Sequence, residues 1–537
     1  MRFFNTAGPV DPEMHYCVPP LARLDVDELL LLIQQRKYFV LHAPRQTGKT
    51  SALLALRDAL NADDEYRCAY VNVEGGQSAR EDVGAAMRAI LSALARSARE
   101  TLNDGFVAEV WPDILDTAGP HDALRELLAR WSESSPRPLV LMIDEIDALV
   151  GDTLIAVLRQ LRAGYPERPG RFPQSVVLCG VRDVRDYRIQ SSAENAVIAG
   201  GSAFNVRAKS LRLGDFSSEE VESVLAQHTA ETGQGFSTEA LAAVWDLTRG
   251  QPWLVNALAY EVCFENPEGR DRDRAITEDA IQSAREELIL RRDTHLDQLT
   301  DKLREERVRR VVEPLLSGAE TADSIAPDDL QYVRDLGLTT SNGPVAIANP
   351  IYREVIPRDL TWTTQEMTIH HDPAWYVGDD GGLRVGELLA AFQEFFREHS
   401  EHWVERFQYK EAGPQLLLQA FLQRIVNGGG RIEREYGLGR MRTDLLLLWP
   451  IHGKDAKAGV HPPSRHQKVV IECKVLHRDL DSTIRDGLEQ TAAYMDRCGA
   501  AEGHLVVFDR TEGKPWNEKL FRRDEQQHGV PITVWGM

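Results

Sequence analysis

The sequence lacks the features that would place it in a membrane, outside the cell or around a zinc ion. No run approaches the roughly 18 consecutive apolar residues of a membrane span, and the N-terminus has neither the basic start nor the apolar stretch of a signal peptide. The six cysteines are scattered without CxxC spacing, which argues against a zinc site and a disulfide framework. We therefore expect a cytoplasmic protein with no membrane partner.

Internal repeats and low-complexity tracts are also missing. The chain of 537 residues is 43% hydrophobic and 27% charged, a composition typical of globular proteins. Because a domain usually has roughly 100–200 residues, we expect three or four of them.

Positive charge is scarce, and the formal net charge of −21 would by itself oppose a nucleic-acid partner. The deficit is uneven along the chain. Residues 383–537 carry 22 Lys+Arg and 22 Asp+Glu, so residues 1–382, with 40 basic and 61 acidic side chains, hold the whole net charge. Residues 424–474 hold ten basic side chains against five acidic ones. The C-terminal part can therefore offer a local positive surface.

Residues 36–61 have the pattern of a phosphate-binding turn. RKYFVLHAP (36–44) is typical of a buried strand, and residues 49–61 have the Leu/Ala spacing of a helix. The turn between them fits A-x-x-x-x-G-K-T, a P-loop pattern in which an Ala replaces the first Gly. Backbone N–H groups would bind the phosphates of ATP, the Lys would reach the β- and γ-phosphates, and the Thr hydroxyl would bind Mg²⁺. The predicted nucleotide-binding residues of this turn are Ala43, Gln46, Thr47, Gly48, Lys49, Thr50 and Ser51.

PLVLMIDEID (138–147) is a second buried-strand run, and it ends in two carboxylates. It resembles a Walker B segment, in which Asp144 would bind Mg²⁺ through water and Glu145 would orient or deprotonate the attacking water. A further strand, QSVVLCGV (174–181), precedes two arginines. In related ATPases the end of this strand faces the γ-phosphate, so Arg182 or Arg185 would sense it; pairing with surface carboxylates is the alternative.

Residues 217–228, 237–247 and 252–263 are predicted to form three helices. They are consistent with the helical lid of AAA-type ATPases. TRGQPWLVNALA (248–259) resembles the G-x-P segment that ends the lid in regulatory ATPases related to the AAA class, where the helix that begins at the Pro packs over the nucleotide. A plain turn before a core helix is the alternative.

Residues 328–356 combine a helix, a DLGL turn, two strands around an SNG hairpin signal and an NP-capped helix. This order predicts a winged-helix module. Because the helix in the recognition position, DDLQYVRDL, is acidic, we expect the module to serve packing or interaction rather than DNA binding.

The last part of the chain holds a second group of charged residues near apolar strands. Asp444 enters the run LLLL, and 28 residues later Glu472 and Lys474 stand two apart in HQKVVIECKVL, so both face one side of that strand. Pairing the two strands would bring Asp444 beside Glu472, and the carboxylates would hold Mg²⁺ or Mn²⁺. Lys474 would position the hydrolytic water or stabilise charge on a phosphate. Surface ion pairing is the competing interpretation.

The run D-x27-E-C-K strongly resembles the PD-(D/E)XK nuclease superfamily, with Thr443 where the family name has Pro. The resemblance implies a restriction-endonuclease-like α/β fold and hydrolysis of nucleic-acid phosphodiester bonds. It also implies an extra acidic metal ligand at Glu411, for which Glu433 or Glu435 are alternatives. Gln490 and Tyr494, one helical turn apart, match the Q-x-x-x-Y element of the exonuclease-like branch.

The whole chain resembles bacterial proteins that fuse an AAA-like or STAND-like ATPase to such a nuclease, over about residues 20–260 and 405–510. The predicted fold is therefore α/β and multidomain. The predicted segments are a P-loop ATPase core (1–215), a helical lid (216–290), a winged-helix-like module (291–360), a linker (361–382) and a nuclease-like domain (383–537).

Three functions remain open from the sequence. The leading hypothesis is an ATP-controlled, metal-dependent nuclease that acts on nucleic acid, with DNA favoured, in defence or DNA processing. The second is an ATP-driven signalling switch whose nuclease-like domain only docks nucleic acid or protein. The third, a DNA translocase, fits poorly because the first part is acidic and shows no helicase motif set. Homo-oligomers are possible for any of them.

Overall fold

The fold is taken from a computed structural model, in which the chain forms two compact units. The first contains Met1–Leu299 and Pro327–Tyr352, and the second contains Thr300–Ala326 and Arg353–Met537. This division is coarser than the five predicted segments, whose boundaries stay predictions. The structure describes residues 1–182, 188–191, 196–199, 204–291, 295–296, 301–317, 325–341, 343–360, 376–378, 380–406, 418–419, 421–422, 430–438, 441–451, 465–476, 479–509, 511 and 514–537.

A parallel sheet forms the centre of the first unit and confirms the predicted P-loop architecture. Its strands stand in the order β4-β5-β6-β3-β9. This order places the strand before the P-loop, β3, beside β6, which in turn pairs with the Walker B strand β5. The strands are β3 (Tyr38–His42), β4 (Arg67–Asn72), β5 (Leu139–Asp144), β6 (Ser175–Gly180) and β9 (Arg207–Arg212).

Helices cover the sheet, whose central strands are buried along their whole length and are mostly apolar. All residues of β3, β5 and β6 are buried, as a parallel sheet with packed faces requires. One core cluster contains Trp131, Leu141 and Leu178, and a second contains Leu53, Val140 and Cys179. The helices are α1 (Val26–Gln34), α2 (Lys49–Ala62), α3 (Val83–Leu102), α4 (Phe106–Ala118), α5 (Ala123–Ser134) and α6 (Gly151–Gly164).

Three helices follow the sheet at the positions predicted for a lid. They are α7 (Ser218–Thr232), α8 (Thr238–Thr248) and α9 (Pro252–Tyr260). A capping box starts α7, since the Ser217 hydroxyl accepts from the Glu220 N–H and the Glu220 carboxylate accepts from the Ser217 N–H. Pro252 occupies the first turn of α9, where its missing N–H costs no helical hydrogen bond.

Short strands and further helices complete the first unit. β1 (Phe3–Phe4) pairs in parallel with β2 (His15–Tyr16), and β7 (Arg188–Ser191) pairs with β8 (Ala196–Ala199). After α10 (Glu278–Arg291), the chain returns to this unit with α12 (Pro327–Asp335) and the start of α13 (Pro350–Leu360). Between these two helices, the two predicted strands appear in the described residues as a single bridge between Thr339 and Ile347.

The second unit is built on a separate mixed sheet in the order β10-β11-β12-β13-β15-β14. β10, β11 and β12 form an antiparallel meander, whereas β13 and β15 run parallel to β12. The strands are β10 (Arg431–Leu438), β11 (Met441–Ile451), β12 (Arg465–Val475), β13 (Glu502–Phe508), β14 (Phe521–Gln527) and β15 (Val530–Gly536). The helices are α11 (Glu306–Ser317), α14 (Val385–Arg406), α15 (Leu480–Cys498) and α16 (Trp516–Lys519).

Helix α15 packs on one face of this sheet. Its Leu488 and Met495 share a cluster with Leu446 of β11, Val470 of β12 and Leu505 of β13. Of the helices that the structure describes, none is both long and apolar enough to cross a membrane.

The contact between α15 and β13 predicts opposite effects of Gly→Ala at two helical positions of the second unit. A methyl group on Gly487 would lie 2.6 Å from Leu505 Cδ1, whereas one on Gly386 of α14 would meet nothing within 4 Å. We expect Gly487→Ala to lower the free energy of unfolding by roughly 1–3 kcal/mol, the usual cost of overpacking a core. Gly386→Ala should be neutral or raise it by up to about 1 kcal/mol, because Ala favours helix.

Urea unfolding followed by fluorescence measures both changes. Equal losses of stability in the two variants would contradict the close packing of α15 on β13.

Candidate functional site

The P-loop turn places its phosphate-binding groups at the carboxyl edge of the parallel sheet. Gly48 has φ 92°, a left-handed conformation that suits Gly, and α2 begins at the next residue. Ala43 is not among the described residues with positive φ, so its Cβ is compatible with this turn. The Ala43 N–H donates to the Gly180 carbonyl at 3.2 Å, which fixes the start of the loop to β6.

The side chains of the turn are ordered by contacts within it. Lys49 is buried, and its Nζ donates to the carbonyls of Ala43 and Pro44, each at 3.0 Å. The Thr47 hydroxyl donates to the Pro44 carbonyl at 2.8 Å. Gln46 is exposed and has φ 56°. The ammonium is thus held over the loop whose N–H groups would bind phosphate.

The structure brings the P-loop and the Walker B strand together through one hydrogen bond. Thr50 Oγ1 donates to Asp144 Oδ2 at 2.7 Å, although 94 residues separate them. The Asp144 carboxylate is fully buried and also accepts from the Tyr70 hydroxyl and the Glu145 N–H. A hydroxyl oxygen and a carboxylate side by side are the oxygen donors that Mg²⁺ prefers. Thr50 and Asp144 therefore fit the magnesium ion of a bound nucleotide.

Glu145, the predicted base, directly follows Asp144 in the chain. Its backbone is left-handed, with φ 56°, a strained conformation for a residue that is not Gly, Asn or Asp. Burial raises the pKa of its carboxyl group, Lys49 opposes that rise, and the nearby Asp147 and Asp144 add to it. A carboxylate whose pKa is raised accepts a proton more readily. These features fit the predicted activation of a water molecule.

A pocket opens beside the P-loop and extends to helix α9. It encloses about 660 Å³ of space, part of which is open solvent at its mouth. Its walls contain residues of the N-terminal segment, of the P-loop and of α9, among them Thr6, Thr47, Gly48 and Trp253. Trp253 Nε1 donates to the Thr6 carbonyl at 2.9 Å, and the Val10 N–H donates to Ser51 Oγ at 2.9 Å. The N-terminal segment therefore connects α9 to the P-loop helix α2.

Arg23 contacts the P-loop, although no sequence motif indicated it. Its guanidinium donates to the carbonyls of Thr47 and Gly214, each at 2.5 Å, and stacks 4.7 Å from the ring centre of Phe216. Burial lowers the pKa of Arg23, and the carboxylates of Glu220 and Asp215 oppose this change. The Arg23 side chain thus joins the P-loop to the segment before α7. Tyr70, whose hydroxyl donates to Asp144, was not predicted either. Neither Arg23 nor Tyr70 belongs to a local sequence pattern.

Arg182 follows β6, the strand between the P-loop strand and the Walker B strand. The Val181 N–H donates to Asp147 Oδ1 at 3.1 Å, so the chain leaves the sheet beside the residues that follow the Walker B strand. The Arg182 guanidinium lies 4.8 Å from the ring centre of Tyr332. Its predicted role at the γ-phosphate stays a prediction, and Arg185, the alternative, lies outside the described residues.

In the second unit the structure brings Glu472 and Lys474 together. Lys474 Nζ lies 2.9 Å from Glu472 Oε1, and Glu472 is 2% exposed. Asp444 is on β11, but its side chain is outside the described part of the chain, as is all of Glu411. Gln490 is half-buried on α15, and Tyr494 is buried in the cluster between that helix and the sheet. Among the described residues, no group of three or more His, Cys, Asp or Glu side chains has the arrangement of a metal site.

A family model matches the part of the chain that contains the nucleotide site. Residues 33–187 match the family model described as "AAA domain". A Walker-type ATPase of Pyrococcus abyssi is similar in structure, with 13% identity and a TM-score of 0.43 over 66% of this chain and 99% of that one.

Two further solved structures are similar over much of their length. Cdc6p of Pyrobaculum aerophilum has 15% identity and a TM-score of 0.35, over 64% of this chain and 93% of its own. RuvB of Thermotoga maritima has 14% identity and a TM-score of 0.33, over 61% of this chain and 92% of its own. The comparison with curated proteins gives no match.

Glu145→Gln tests the base at the nucleotide site. We expect kcat for ATP hydrolysis to fall by about 10²–10⁴-fold, the usual contribution of a positioned base, with ATP affinity retained because the phosphate-binding groups are unchanged. Asp147→Asn is the matched control, since Asp147 caps the Val181 N–H and can do so as an amide. Steady-state kinetics and a binding titration separate the two effects. Loss of ATP affinity in Glu145→Gln would contradict the assignment.

The raised pKa of Glu145 also predicts a pH dependence. The carboxyl group must be ionised to accept a proton, so kcat should fall as the pH drops through its raised pKa. This acid limb should lie above the range of an ordinary Glu and should be missing from the residual activity of Glu145→Gln. A wild-type kcat that is flat down to the ordinary Glu range would contradict it.

Proposed function

We propose that the AAA-type P-loop ATPase domain of this chain, which binds and hydrolyses ATP, controls a metal-dependent nuclease in its C-terminal part. The nuclease would hydrolyse phosphodiester bonds of nucleic acid, with DNA favoured. The observation that carries this proposal is the buried Glu472–Lys474 pair at the end of a core strand. Cytoplasmic location, assembly into homo-oligomers and a role in defence or DNA processing belong to the same proposal.

The strand register supports a site made from both predicted motifs. Leu445 of β11 pairs with Ile471 of β12 in antiparallel register. Because each step along one antiparallel strand matches a step backward along the other, extending this register by one residue would put Asp444 opposite Glu472. This register supports the proposal that the two carboxylate-bearing positions, 28 residues apart in sequence, are neighbours across the sheet.

The burial of Glu472 favours a functional role over a surface ion pair. Its carboxylate is almost fully removed from water, whereas the Lys474 side chain is 28% exposed. An ion pair with one buried partner contributes little net stability, because the cost of desolvation offsets the attraction. Carboxylates that carry such a cost commonly bind a cation or take part in chemistry.

Asp444 and Glu472 would hold Mg²⁺ or Mn²⁺ at this site, and the ion would activate water and neutralise charge on the scissile phosphate. Lys474, held 2.9 Å from Glu472 Oε1, would donate to a phosphate oxygen or to the attacking water. Gln490 lies on α15, the helix that packs against Val470, two residues before Glu472 on the same strand. It would position substrate over the face that carries Glu472.

Nucleic acid as the substrate is supported by charge. Residues 424–474, which include both catalytic strands, have ten basic and five acidic side chains in a chain of net charge −21. Phosphate contacts need such a local excess of positive charge. From its sequence, the polar loop 451–466 between the two strands is predicted to be basic enough to touch nucleic acid; its residues 452–464 lie outside the described residues.

Lys474→Ala tests the nuclease proposal. We expect it to abolish cleavage of nucleic acid in Mg²⁺ or Mn²⁺, because it removes the ammonium group that pairs with Glu472, while ATP hydrolysis stays at the wild-type rate. Lys468→Ala, on the same strand and bonded only to the Cys498 carbonyl among its described contacts, is the matched control and should retain cleavage. The panel contains plasmid, linear duplex, single-stranded DNA and RNA, each with and without ATP.

Cleavage by wild type that Lys474→Ala and Asp444→Ala both lose, and that Lys49→Ala alters, would support an ATP-controlled nuclease. If wild type cuts none of these substrates under any condition while ATP hydrolysis persists, the nuclease proposal is wrong. The alternative, an ATP-driven switch with a docking module, would then be favoured.

A further inference from the structure

Tyr70 reaches the Walker B carboxylate from the neighbouring strand. It lies on β4, the edge strand of the parallel sheet, two residues before Asn72, which stands opposite Asp144 in the register. Its ring packs on the cluster that contains Leu53 of the P-loop helix α2, so it lies on the face of the sheet that α2 covers. The hydroxyl donates to Asp144 Oδ2 at 2.9 Å. A residue outside both nucleotide-binding motifs therefore contacts the carboxylate predicted to bind Mg²⁺.

The backbone of Tyr70 is fixed on two sides. Tyr70 stands opposite Met142 of β5 in the parallel register. The Ser97 hydroxyl, from α3, donates to the Tyr70 carbonyl. Side chains on the strands and helices of a fold are held more precisely than those on loops. The Tyr70 hydroxyl thus reaches Asp144 from a rigid part of the molecule.

The donors to Asp144 are divided unequally between its two oxygens. Oδ2 accepts from the hydroxyls of Thr50, at 2.7 Å, and Tyr70, at 2.9 Å, whereas Oδ1 accepts from the Glu145 N–H at 2.9 Å. An ionised carboxylate has about two acceptor sites on each oxygen, so the two hydroxyls fill those of Oδ2. Together with the bond to Oδ1, they fix the rotation of the carboxylate.

Thr50 and Tyr70 differ in their relation to a bound nucleotide. Thr50 directly follows Lys49 in the P-loop, and its hydroxyl oxygen is predicted to bind Mg²⁺, so Asp144 would share Thr50 with the ion. Tyr70 lies outside the P-loop and has no predicted role as a ligand. Its hydroxyl is therefore the donor to Oδ2 that can hold the carboxylate in the same way before and after the ion binds.

We propose that Tyr70 is a positioning residue for the magnesium ion of the nucleotide. Its hydroxyl holds the Asp144 carboxylate in the orientation in which Asp144 and Thr50 bind the ion. Tyr70 therefore strengthens the binding of ATP only when Mg²⁺ is present. The proposal rests on the predicted magnesium role of Asp144 and is independent of the nuclease.

Tyr70→Phe tests the proposal because it removes the hydroxyl and keeps the ring. We expect Kd for a non-hydrolysable ATP analogue in Mg²⁺ to rise by roughly 10–100-fold, the usual effect of losing a partner that orients a metal ligand. Kd for the same analogue in EDTA should stay at the wild-type value, because the phosphate-binding groups of the P-loop are unchanged. Equilibrium titrations in Mg²⁺ and in EDTA measure both constants, and their ratio gives the magnesium dependence of binding.

Tyr38→Phe is the matched control. Tyr38 is a buried tyrosine on β3 of the same sheet, and its hydroxyl has no hydrogen-bond partner among the described residues. The substitution should leave the magnesium dependence unchanged. An Asp144→Ala background supplies the second control, since Asp144→Ala alone should lower the magnesium dependence. Adding Tyr70→Phe to it should then cause no further loss, because the partner of the hydroxyl is already missing.

The outcomes distinguish a positioning role from a structural one. Equal losses of affinity in Mg²⁺ and in EDTA, an unchanged magnesium dependence, the same effect from Tyr38→Phe or a further loss in the Asp144→Ala background would each overturn the proposal. Loss of the cooperative urea transition in Tyr70→Phe would overturn it too, because the hydroxyl would then hold the fold rather than the ion site. If Asp144→Ala keeps the full magnesium dependence, the predicted role of Asp144 is wrong as well.

Discussion

The hydrogen bond between the Thr50 hydroxyl and the Asp144 carboxylate is the interaction on which the nucleotide site depends. An ionised carboxylate that is fully removed from water is costly unless hydrogen bonds satisfy it, and Asp144 accepts from Thr50, Tyr70 and the Glu145 N–H. Burial and the Asp144 charge both raise the pKa of Tyr70, which keeps its hydroxyl protonated as a donor. The P-loop helix and two strands are therefore fixed to one buried charge.

This constraint also explains why the rest of the first unit converges on the same edge of the sheet. The N-terminal segment reaches Ser51 of the P-loop helix, Arg23 binds the Thr47 carbonyl, and Gly337 packs against Pro44. Each contact comes from a different part of the chain, and each bears on the P-loop rather than on the distant face of the sheet. A movement of the P-loop on nucleotide binding would thus change its contacts with the N-terminal segment, which also bonds to α9, and with Pro327–Tyr352.

How much of this was predictable depends on whether a feature is local in sequence. The P-loop and Walker B residues follow apolar strands at fixed spacing, so their elements and the parallel sheet were predicted from the sequence. Arg23 and Tyr70 act through residues 24 and 74 positions away, and no local pattern reports such distances. The predicted hairpin near Ser341 is present only as one bridge, between Thr339 and Ile347, flanked by hydrogen bonds from the Thr340 N–H to the Ala346 carbonyl and from the Ala348 N–H to the Leu338 carbonyl.

The two buried carboxylates that the sequence indicated, Asp144 and Glu472, differ in the contacts that accompany their burial. The cost of burying the Asp144 carboxylate is offset by the hydrogen bonds that it accepts from Thr50 and Tyr70, which also hold the nucleotide site together. Glu472 is also buried, and its ion pair is with the half-buried Lys474 on the same strand. An ion pair within one strand does not join one element to another, and the desolvation of a buried carboxylate offsets much of its attraction to a cation. The burial of Glu472 is therefore the feature on which the proposed nuclease site rests.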